Sequence, residues 1–365
     1  MLNIPEVLKT LSGVTVESVD TWENYRREEI MALCCQYVYG NRDIERPDNL
    51  FFDIVKEDFE YGMKVKHIEG GFDDFKFPFR VYFPENVSKP VPVIVYVMHE
   101  NAENNMAYNE EGNMFWGDKI TCLPLKYVTD RGYAVAVMPT RQIYREWSVH
   151  ADFKVGVFAA VKNQKPRNKN SWASISSWAW GVSRVVDYLE TDAEIDSARI
   201  GVTGHSRSGK AALWAGATDE RIFLTAPNNS GCMGAAILRG KRGEHAKEIN
   251  ISDWFCEKFK EYNDCEELLP IDQHFVLSLV APRYLYVSDS ILDEWADPDA
   301  ELLAAKLSTP VYELYGKKGL VMSDATPVLN KAYHDGCIAF HVKEGDHSQT
   351  MFDWEKLLDY FDKIK

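Results

Sequence analysis

The residues most able to do chemistry lie around Ser206, between a predicted strand and a predicted helix. A β-branched apolar run over 200–203 stops at Gly204, and a helical pattern begins at Gly209. A serine at the tip of such a turn can act as a nucleophile, because the turn holds its hydroxyl above the sheet edge. The turn also points the backbone N–H of Arg207 at the place where a carbonyl oxygen would become an oxyanion. The pattern therefore predicts a nucleophile elbow.

The pattern departs from the usual Gly-x-Ser-x-Gly elbow at its last position. Ser208 stands there, and the glycine follows one residue later. Serine is small enough for a close strand–helix crossing, so the departure weakens the prediction without removing it. The alternative is an ordinary strand–loop–helix connection in which Ser206 caps the helix.

A serine nucleophile needs a neutral imidazole to take its proton and an acid to orient that imidazole. In chains with such an elbow the order is serine, acid, histidine. We predict His347 as the base, because it follows the last apolar strand and precedes the C-terminal helix. We expect His334 and His341 to be surface or packing residues. His245 and His274 are expected to be hydrogen-bonded structural groups.

The acid is expected in the loop that follows the predicted strand 283–288. Asp293 is the first choice, because it lies a few residues beyond the strand. Asp297 directly precedes a proline, where it can cap a helix, so a structural role is favoured for it. Asp289 is predicted to lie too close to the strand end to reach His347.

The elements that must position these residues alternate between strand and helix. An antiparallel hairpin is followed by buried strands and helices, which predicts an α/β fold: a three-layer αβα sandwich with a mostly parallel, doubly wound sheet. The predicted ranges are the hairpin 63–69 and 75–83, strands 93–98, 132–138, 199–203, 222–226, 283–288 and 338–343, and helices 173–189, 209–217, 299–307 and 350–364.

The domain organisation is predicted to be simple. No repeat, low-complexity tract or linker divides the chain, so residues 1–365 are interpreted as one domain. Residues 1–60 are expected to be an N-terminal helical extension packed on it. Residues 232–275 are expected to be an insertion near the mouth of a site at the strand ends.

The charge balance argues against nucleic acid as the partner. The chain carries 41 Lys and Arg against 56 Asp and Glu, a net charge of −15. Binding to phosphate backbones needs clustered basic residues, so no nucleic-acid partner is expected. No apolar run approaches the roughly 20 residues that span a bilayer, so no membrane partner is expected. The oligomeric state is left open.

The N-terminal residues and the cysteines indicate the cellular compartment in which the protein is expected. The first residues lack a positive segment followed by an apolar one, so no secretory signal is visible. The seven cysteines are an odd number at scattered positions, typical of reduced thiols. We therefore expect a cytoplasmic protein, or a secreted one if a signal peptide was removed from this sequence.

Several separated motifs resemble those of one family. Gly204-His-Ser-Arg-Ser-Gly-Lys210 resembles the Gly-x-Ser-Arg-x-Gly-Lys elbow of the glucuronoyl esterases, carbohydrate esterase family 15, within the α/β-hydrolase superfamily. The likeness covers roughly the C-terminal half of the chain. Its further motifs include Arg242-Gly-Glu244, Asp253-Trp-Phe-Cys256, Asp293-x-Trp295 and Gly345-Asp-His347-Ser-Gln-Thr.

The resemblance implies hydrolysis of the ester between a 4-O-methyl-glucuronic acid branch of xylan and an alcohol, typically of lignin. No metal or organic cofactor is needed, and the partner is a small or oligosaccharide uronate ester. A further oxyanion N–H is expected from the 98–103 loop. The implied roles are nucleophile for Ser206, base for His347, a side-chain oxyanion donor for Arg207, sugar-hydroxyl binding for Lys210 and Glu244, and lining of the uronate pocket for Trp295.

One position departs from the family pattern. Many members carry the triad acid in a Glu-Ser-Gly sequence after the strand that follows the nucleophile, and the matching residue here is Asn229. Other members use an acid after the next strand, which corresponds to Asp293. The sequence fits this second arrangement, in which Asn229 only orients its neighbours. Altered substrate choice or reduced activity is the other interpretation.

Two other functions are left open. The first is an acetyl esterase of xylan or another sugar deacetylase, which would make little use of Arg207, Lys210 and Glu244. The second is a non-catalytic carbohydrate-binding protein on the same scaffold, since a fold does not determine function. The presence of Ser206 and His347 counts against the second.

Overall fold

The computed structural model describes residues 3–86, 89–99, 106–108, 113–116, 119–146, 152–161, 166–240, 242–250 and 253–364. Its strands are β1 (Phe51–Glu60), β2 (Met63–Phe72), β3 (Phe75–Phe83), β4 (Val91–Met98), β5 (Met106–Tyr108), β6 (Met114–Trp116), β7 (Lys119–Leu123), β8 (Ala134–Pro139), β9 (Ile195–His205), β10 (Ile222–Asn228), β11 (Tyr284–Ser290), β12 (Ala332–Tyr333) and β13 (Ile338–Lys343).

The helices alternate with these strands over most of the chain. The α-helices are Val19–Thr21, Arg27–Cys34, Leu125–Asp130, Thr140–Ile143, Gly156–Ala160, Ser174–Leu189, Arg207–Thr218, Ala246–Ile249, Gln273–Ser278, Pro298–Leu314 and Met351–Ile364. Two π-helical segments span Trp22–Arg26 and Cys35–Tyr39, and two 3₁₀ segments span Glu257–Tyr262 and Glu266–Leu268. Within the described ranges, none of the helices is both long enough and apolar enough to cross a membrane.

One large sheet organises the described chain. Its ten strands lie in the order β1-β2-β3-β8-β4-β9-β10-β11-β13-β12, and β5–β7 form a separate small sheet. Strands β8, β4, β9, β10, β11 and β13 run parallel, and the remaining pairs are antiparallel. Every side chain of β4 is buried, as expected for an apolar strand covered on both faces. The predicted mostly parallel α/β sheet with flanking helices is confirmed.

The register of the central strands gathers the functional residues. Asn228 at the end of β10 pairs with His205 at the end of β9 and with Ser288 in β11. Because parallel strands end at the same edge of a sheet, the residues that follow them meet there. Ser206 and Asn229 are therefore neighbours above one edge.

Residues 51–60 are not helical, which corrects the predicted extension over 1–60. They form β1, the edge strand that pairs antiparallel with β2. Tyr61 and Gly62 join the two strands with φ angles of 52° and 75°, a two-residue turn that suits the twist of a hairpin. The aromatic and β-branched side chains of 51–55 favour a strand once β2 offers backbone partners. The helical part of this segment lies within 19–39.

One predicted helix is longer than its sequence pattern indicates. The helix predicted over 299–307 spans 298–314 and continues through Pro310. A proline removes one backbone hydrogen bond from a helix interior. The residues that follow it, Val311 and Tyr312, are fully buried, so packing offsets that loss.

The segment 232–275 is fixed to the main body by backbone hydrogen bonds. The amides of Ser174 and Ile175 donate to the carbonyls of Asp253 and Trp254 at 3.0 and 3.1 Å. These bonds connect the segment to the first turn of the helix Ser174–Leu189. They also hold Trp254 beside the residue that follows Ser206, as described below.

Candidate active site

Ser206 lies at a strained turn between β9 and the helix Arg207–Thr218. Its backbone has φ 59° and ψ −127°, a conformation that costs a residue with a side chain about 1–3 kcal/mol. The Ser206 N–H donates to the Asn228 carbonyl at 2.9 Å. The Ser206 side chain makes no capping hydrogen bond to the helix. The geometry is that of a nucleophile elbow and not of a capping serine.

Close packing explains which positions of the turn must be glycine. A Cβ on Gly204 would lie 2.6 Å from the Ser208 carbonyl oxygen, and one on Gly209 would lie 2.9 Å from the Gly204 carbonyl oxygen. The Ser208 side chain itself fits in the buried interior. The position at which the helix backbone comes closest to the strand is therefore Gly209, and position 208 has room for a serine side chain.

His347 is paired with Asp293. The Nδ1 atom of His347 lies 2.6 Å from Oδ2 of Asp293. The loop after β11, which carries Asp293, is held to the loop after β13, which carries His347. The amides of Ile291 and Leu292 donate to the carbonyls of Lys343 and Gly345. Asp293 is buried, whereas the His347 side chain is 43% exposed. This is the histidine–carboxylate pair that a serine triad requires.

The pKa of Asp293 lies below its ordinary value. Burial acts to raise it, but the hydrogen bond and charge of His347 and the hydrogen bond from Asn229 outweigh burial. Asp293 is therefore ionised when it faces His347. The other candidate, Asp297, caps the helix Pro298–Leu314 by accepting from the Ala300 amide, as the sequence predicts.

Asn229 supports the acid. Its Nδ2 atom donates to Oδ2 of Asp293 at 2.7 Å and to Oδ1 of Asp289 at 2.7 Å. Burial, followed by the charges of Glu301 and Asp293, raises the pKa of Asp289 well above its ordinary value. Burial therefore favours the neutral form of Asp289, whereas the partners of Asp293 favour its ionised form beside His347.

Arg207 has two partners, Glu146 and Trp254, that its own sequence motif does not indicate. Its Nη1 atom donates to Oε1 of Glu146, and its guanidinium lies 4.8 Å from the ring centre of Trp254. The Nε1 atom of Trp254 donates to Oε2 of Glu146 at 2.7 Å. Trp254 belongs to Asp253-Trp-Phe-Cys256, which resembles a motif of the family, so the sequence indicated that this position could be functional. The sequence provided no such indication for Glu146, because nothing in its local sequence distinguishes it from a surface carboxylate.

Lys210 is buried and fully hydrogen-bonded. Its ammonium donates to the carbonyls of Ser230 and Cys232, both at 2.7 Å, and to Oε2 of Glu244 at 3.0 Å. An ammonium has three N–H donors, so this arrangement uses all of them inside the protein. The other carboxylate oxygen of Glu244 accepts from Nε1 of Trp295 at 3.2 Å. Lys210 thus holds Glu244, and Glu244 orients the half-exposed indole of Trp295.

His205 is a further residue that sequence reasoning missed, although it directly precedes Ser206. Its ring centre lies 4.5 Å from that of His347, and its Nδ1 atom is 2.8 Å from Oδ1 of Asn228. Burial, followed by the charge of His347, lowers the pKa of His205 to about 3. The ring therefore packs against His347 as a neutral group.

Part of the predicted oxyanion site lies outside the described residues. The N–H expected from the 98–103 loop falls partly on 100–103, which the description does not include. His99 precedes this stretch, and burial followed by the charge of Arg207 lowers its pKa to about 3. Among the residues that are described, no group of three or more His, Cys, Asp or Glu side chains is placed to hold a metal ion.

Comparisons with known proteins agree on one family. A family model described as glucuronyl esterase of fungi matches residues 133–316. Carbohydrate esterase MZ0003 of an unidentified prokaryote is 32% identical over an alignment that covers 98% of this chain and 89% of that protein. The 4-O-methyl-glucuronoyl methylesterase of Hypocrea jecorina is 42% identical over 144 residues, which cover 36% of this chain and 31% of that protein.

The solved structures extend the likeness over the whole chain. The glucuronoyl esterase from Solibacter usitatus superposes with a TM-score of 0.87 at 31% identity, covering 99% of this chain and 98% of that one. The predicted α/β-hydrolase fold and the resemblance stated from the motifs are thereby confirmed. The chain belongs to the glucuronoyl esterase family, carbohydrate esterase family 15.

Proposed function

We propose that this chain hydrolyses esters of glucuronic acid or its 4-O-methyl derivative through an acyl-enzyme on Ser206. The observation that carries the proposal is the 2.6 Å contact between His347 and Asp293 beside a strained serine elbow. The name of the Hypocrea jecorina relative, a 4-O-methyl-glucuronoyl methylesterase, supports this class of substrate. The resemblance of the sequence motifs to the family implies that the natural esters are those that join glucuronoxylan to lignin alcohols.

The reaction proceeds in two steps. The imidazole of His347 takes the Ser206 proton, and the Ser206 oxygen attacks the uronoyl carbonyl. The backbone N–H and the side chain of Arg207 stabilise the resulting oxyanion. The imidazolium, held by ionised Asp293, then protonates the leaving alcohol. In the second step water attacks the acyl-enzyme, His347 takes the proton of that water, and Ser206 is released with its hydroxyl restored.

Recognition of the uronate is assigned to Glu244 and Trp295. An indole offers a flat apolar face to a sugar ring, and a carboxylate accepts from sugar hydroxyls. Lys210 acts through Glu244 in this assignment, because its own donors are used within the protein. The acyl group of an acetyl ester has no sugar ring to contact these residues, so they favour a uronate ester over an acetyl ester.

The test compares hydrolysis of benzyl glucuronate with that of p-nitrophenyl acetate. Wild type, Ser206→Ala and Asp293→Asn are measured together, with Asp297→Asn as a matched control because asparagine still caps a helix. We expect uronate-selective turnover that Ser206→Ala abolishes, that Asp293→Asn lowers about 10³- to 10⁴-fold, and that the control leaves near wild type.

The other outcomes separate the alternatives. Turnover of the acetyl ester alone would replace the proposal with a deacetylase. No turnover of either ester, together with no labelling of Ser206 by a serine-directed phosphonate, would favour a non-catalytic carbohydrate-binding protein. Loss of activity in Asp297→Asn but not in Asp293→Asn would move the acid to Asp297.

A further inference from the structure

The side chain of Arg207 is held by a closed set of contacts. Glu146 accepts from the guanidinium, Trp254 donates to Glu146 at 2.7 Å, and the guanidinium lies over the Trp254 ring at 4.8 Å. Each of the three side chains thus contacts the other two. A guanidinium in such a set has little rotational freedom left.

The set is sheltered from water, which strengthens it. The Glu146 side chain is 16% exposed and that of Arg207 is 26% exposed. Charge-assisted hydrogen bonds and cation–π contacts are stronger in such an environment than at a fully exposed surface. Glu146 lies 61 residues before Arg207 in the chain, just beyond the helix Thr140–Ile143. The contact is therefore made by the tertiary fold.

One donor of Arg207 stays unused. Its Nε atom is buried and has no hydrogen-bond partner within the described part of the chain. Buried donors are nearly always satisfied, so one that is not calls for an explanation. Within the described residues, no hydrogen bond therefore holds this edge of the guanidinium away from the neighbouring Ser206.

We propose that Glu146 is a positioning residue, which together with Trp254 aims the Arg207 side chain at the oxyanion. This inference rests on the proposed function, because it assigns the oxyanion role to Arg207. Glu146 touches Arg207 and Trp254 and acts only through Arg207. Its contribution belongs to the transition state, so its loss lowers kcat and leaves KM nearly unchanged.

The test is a double-mutant cycle on benzyl glucuronate. Arg207→Ala removes a side-chain oxyanion donor and is expected to lower kcat about 100- to 1000-fold. Glu146→Ala is expected to lower kcat about 10- to 100-fold with KM within about threefold of wild type. In the Arg207→Ala background, Glu146→Ala is expected to lower kcat no further, because the group it positions is already absent.

Two more variants guard against a purely structural effect. Glu146→Gln keeps one of the two acceptor oxygens and is expected to lie between wild type and Glu146→Ala in kcat. Glu261→Ala removes a carboxylate from an exposed ion pair with Lys169 and is expected to leave kcat unchanged. Circular dichroism and thermal unfolding of each variant establish that it is folded.

The outcomes that overturn the inference are distinct from failure of the proposed function. Equal losses from Glu146→Ala in both backgrounds, or an effect on KM alone, would show that Glu146 does not act through Arg207. A wild-type kcat in Glu146→Ala would overturn the inference while leaving the esterase proposal intact. Absence of uronate hydrolysis in wild type would contradict the proposed function itself.

Discussion

The side-chain amide of Asn229 donates to Oδ2 of Asp293 at 2.7 Å, and that same oxygen faces Nδ1 of His347. Asn229 follows β10 and Asp293 follows β11, so the carboxylate is one strand further along the sheet and an amide supports it. In the family pattern that the sequence resembles, many members carry a carboxylate at the position of Asn229, and here that position holds an amide that donates to Asp293.

Removal of the Asn229 amide should lower activity about 10- to 150-fold, since a hydrogen bond to a charged group contributes about 1.5–3 kcal/mol. Asn229→Gly is the appropriate change, because φ is 44° at this residue and glycine tolerates it. The measurement is kcat on a uronate ester. Asn330→Gly, at an exposed asparagine with φ 63°, is the matched control and should leave kcat unchanged. Equal losses in both variants would contradict a role for the amide.

Strain at Ser206 predicts a trade between stability and activity. Ser206→Gly should raise the free energy of unfolding by about 1 kcal/mol relative to Ser206→Ala, because only glycine relieves the positive φ. Both variants should be inactive. Urea denaturation measures the difference. At Ser208, inside the helix, the glycine variant should instead be less stable than the alanine variant by about 1 kcal/mol. The opposite order at position 206 would show that the turn is unstrained.

The pH dependence of stability should report on Glu301. Burial is the main cause that raises its pKa from 4.5 to about 8 in the folded protein. Between these two values the unfolded chain releases the proton while the folded chain keeps it, so stability falls as pH rises from 4.5 to 8. Glu301→Gln should reduce that fall in urea denaturation. Glu313→Gln, on an exposed face of the same helix, should leave it unchanged, and identical slopes for both variants would contradict the assignment.

Lys210 should matter for stability through its buried ion pair with Glu244. Lys210→Met leaves the Glu244 carboxylate without its cation, and breaking such a pair costs about 3–5 kcal/mol. Chemical denaturation measures the loss. Lys247→Met removes an exposed lysine from its pair with Asp264 and should change stability by less than about 1 kcal/mol. A small loss for Lys210→Met would contradict a stabilising role for this buried pair.

Trp295 should contribute to binding of the sugar ring. Trp295→Ala should raise KM for benzyl glucuronate about tenfold, since loss of an exposed aromatic contact costs about 1–2 kcal/mol. Hydrolysis of p-nitrophenyl acetate should stay unchanged. Leu292→Ala, in the same loop and 67% exposed, is the control and should leave KM unchanged. A parallel loss on both esters for Trp295→Ala would indicate damage to the loop that carries Asp293.

Local features of the sequence were sufficient to predict the turn at Ser206 and most strands of the sheet. Apolar runs predicted β4, β8, β9, β10, β11 and β13 closely enough to place the strand ends, whereas the short β12 was not predicted. Parallel strand ends meet at one edge for topological reasons. The proline after Asp297 predicted a cap, which left Asp293 as the acid that contacts His347. Close approach of backbone at Gly204 and Gly209 explains why that turn is visible in the sequence.

Only the tertiary structure determined two kinds of contact. These are contacts between residues far apart in the sequence and contacts to backbone carbonyls. Lys210 is held by the carbonyls of Ser230 and Cys232, and a backbone carbonyl has no residue-type signature. Glu146 reaches Arg207 across 61 residues of sequence. Residues 51–60 form a strand because β2 lies beside them, and propensity alone did not separate strand from helix there. The pKa values also depend on the tertiary surroundings. Asp289, Asp293 and Glu301 are all acids in the sequence, but burial raises the pKa of Asp289 and Glu301, whereas the hydrogen bonds and charge around Asp293 lower its pKa.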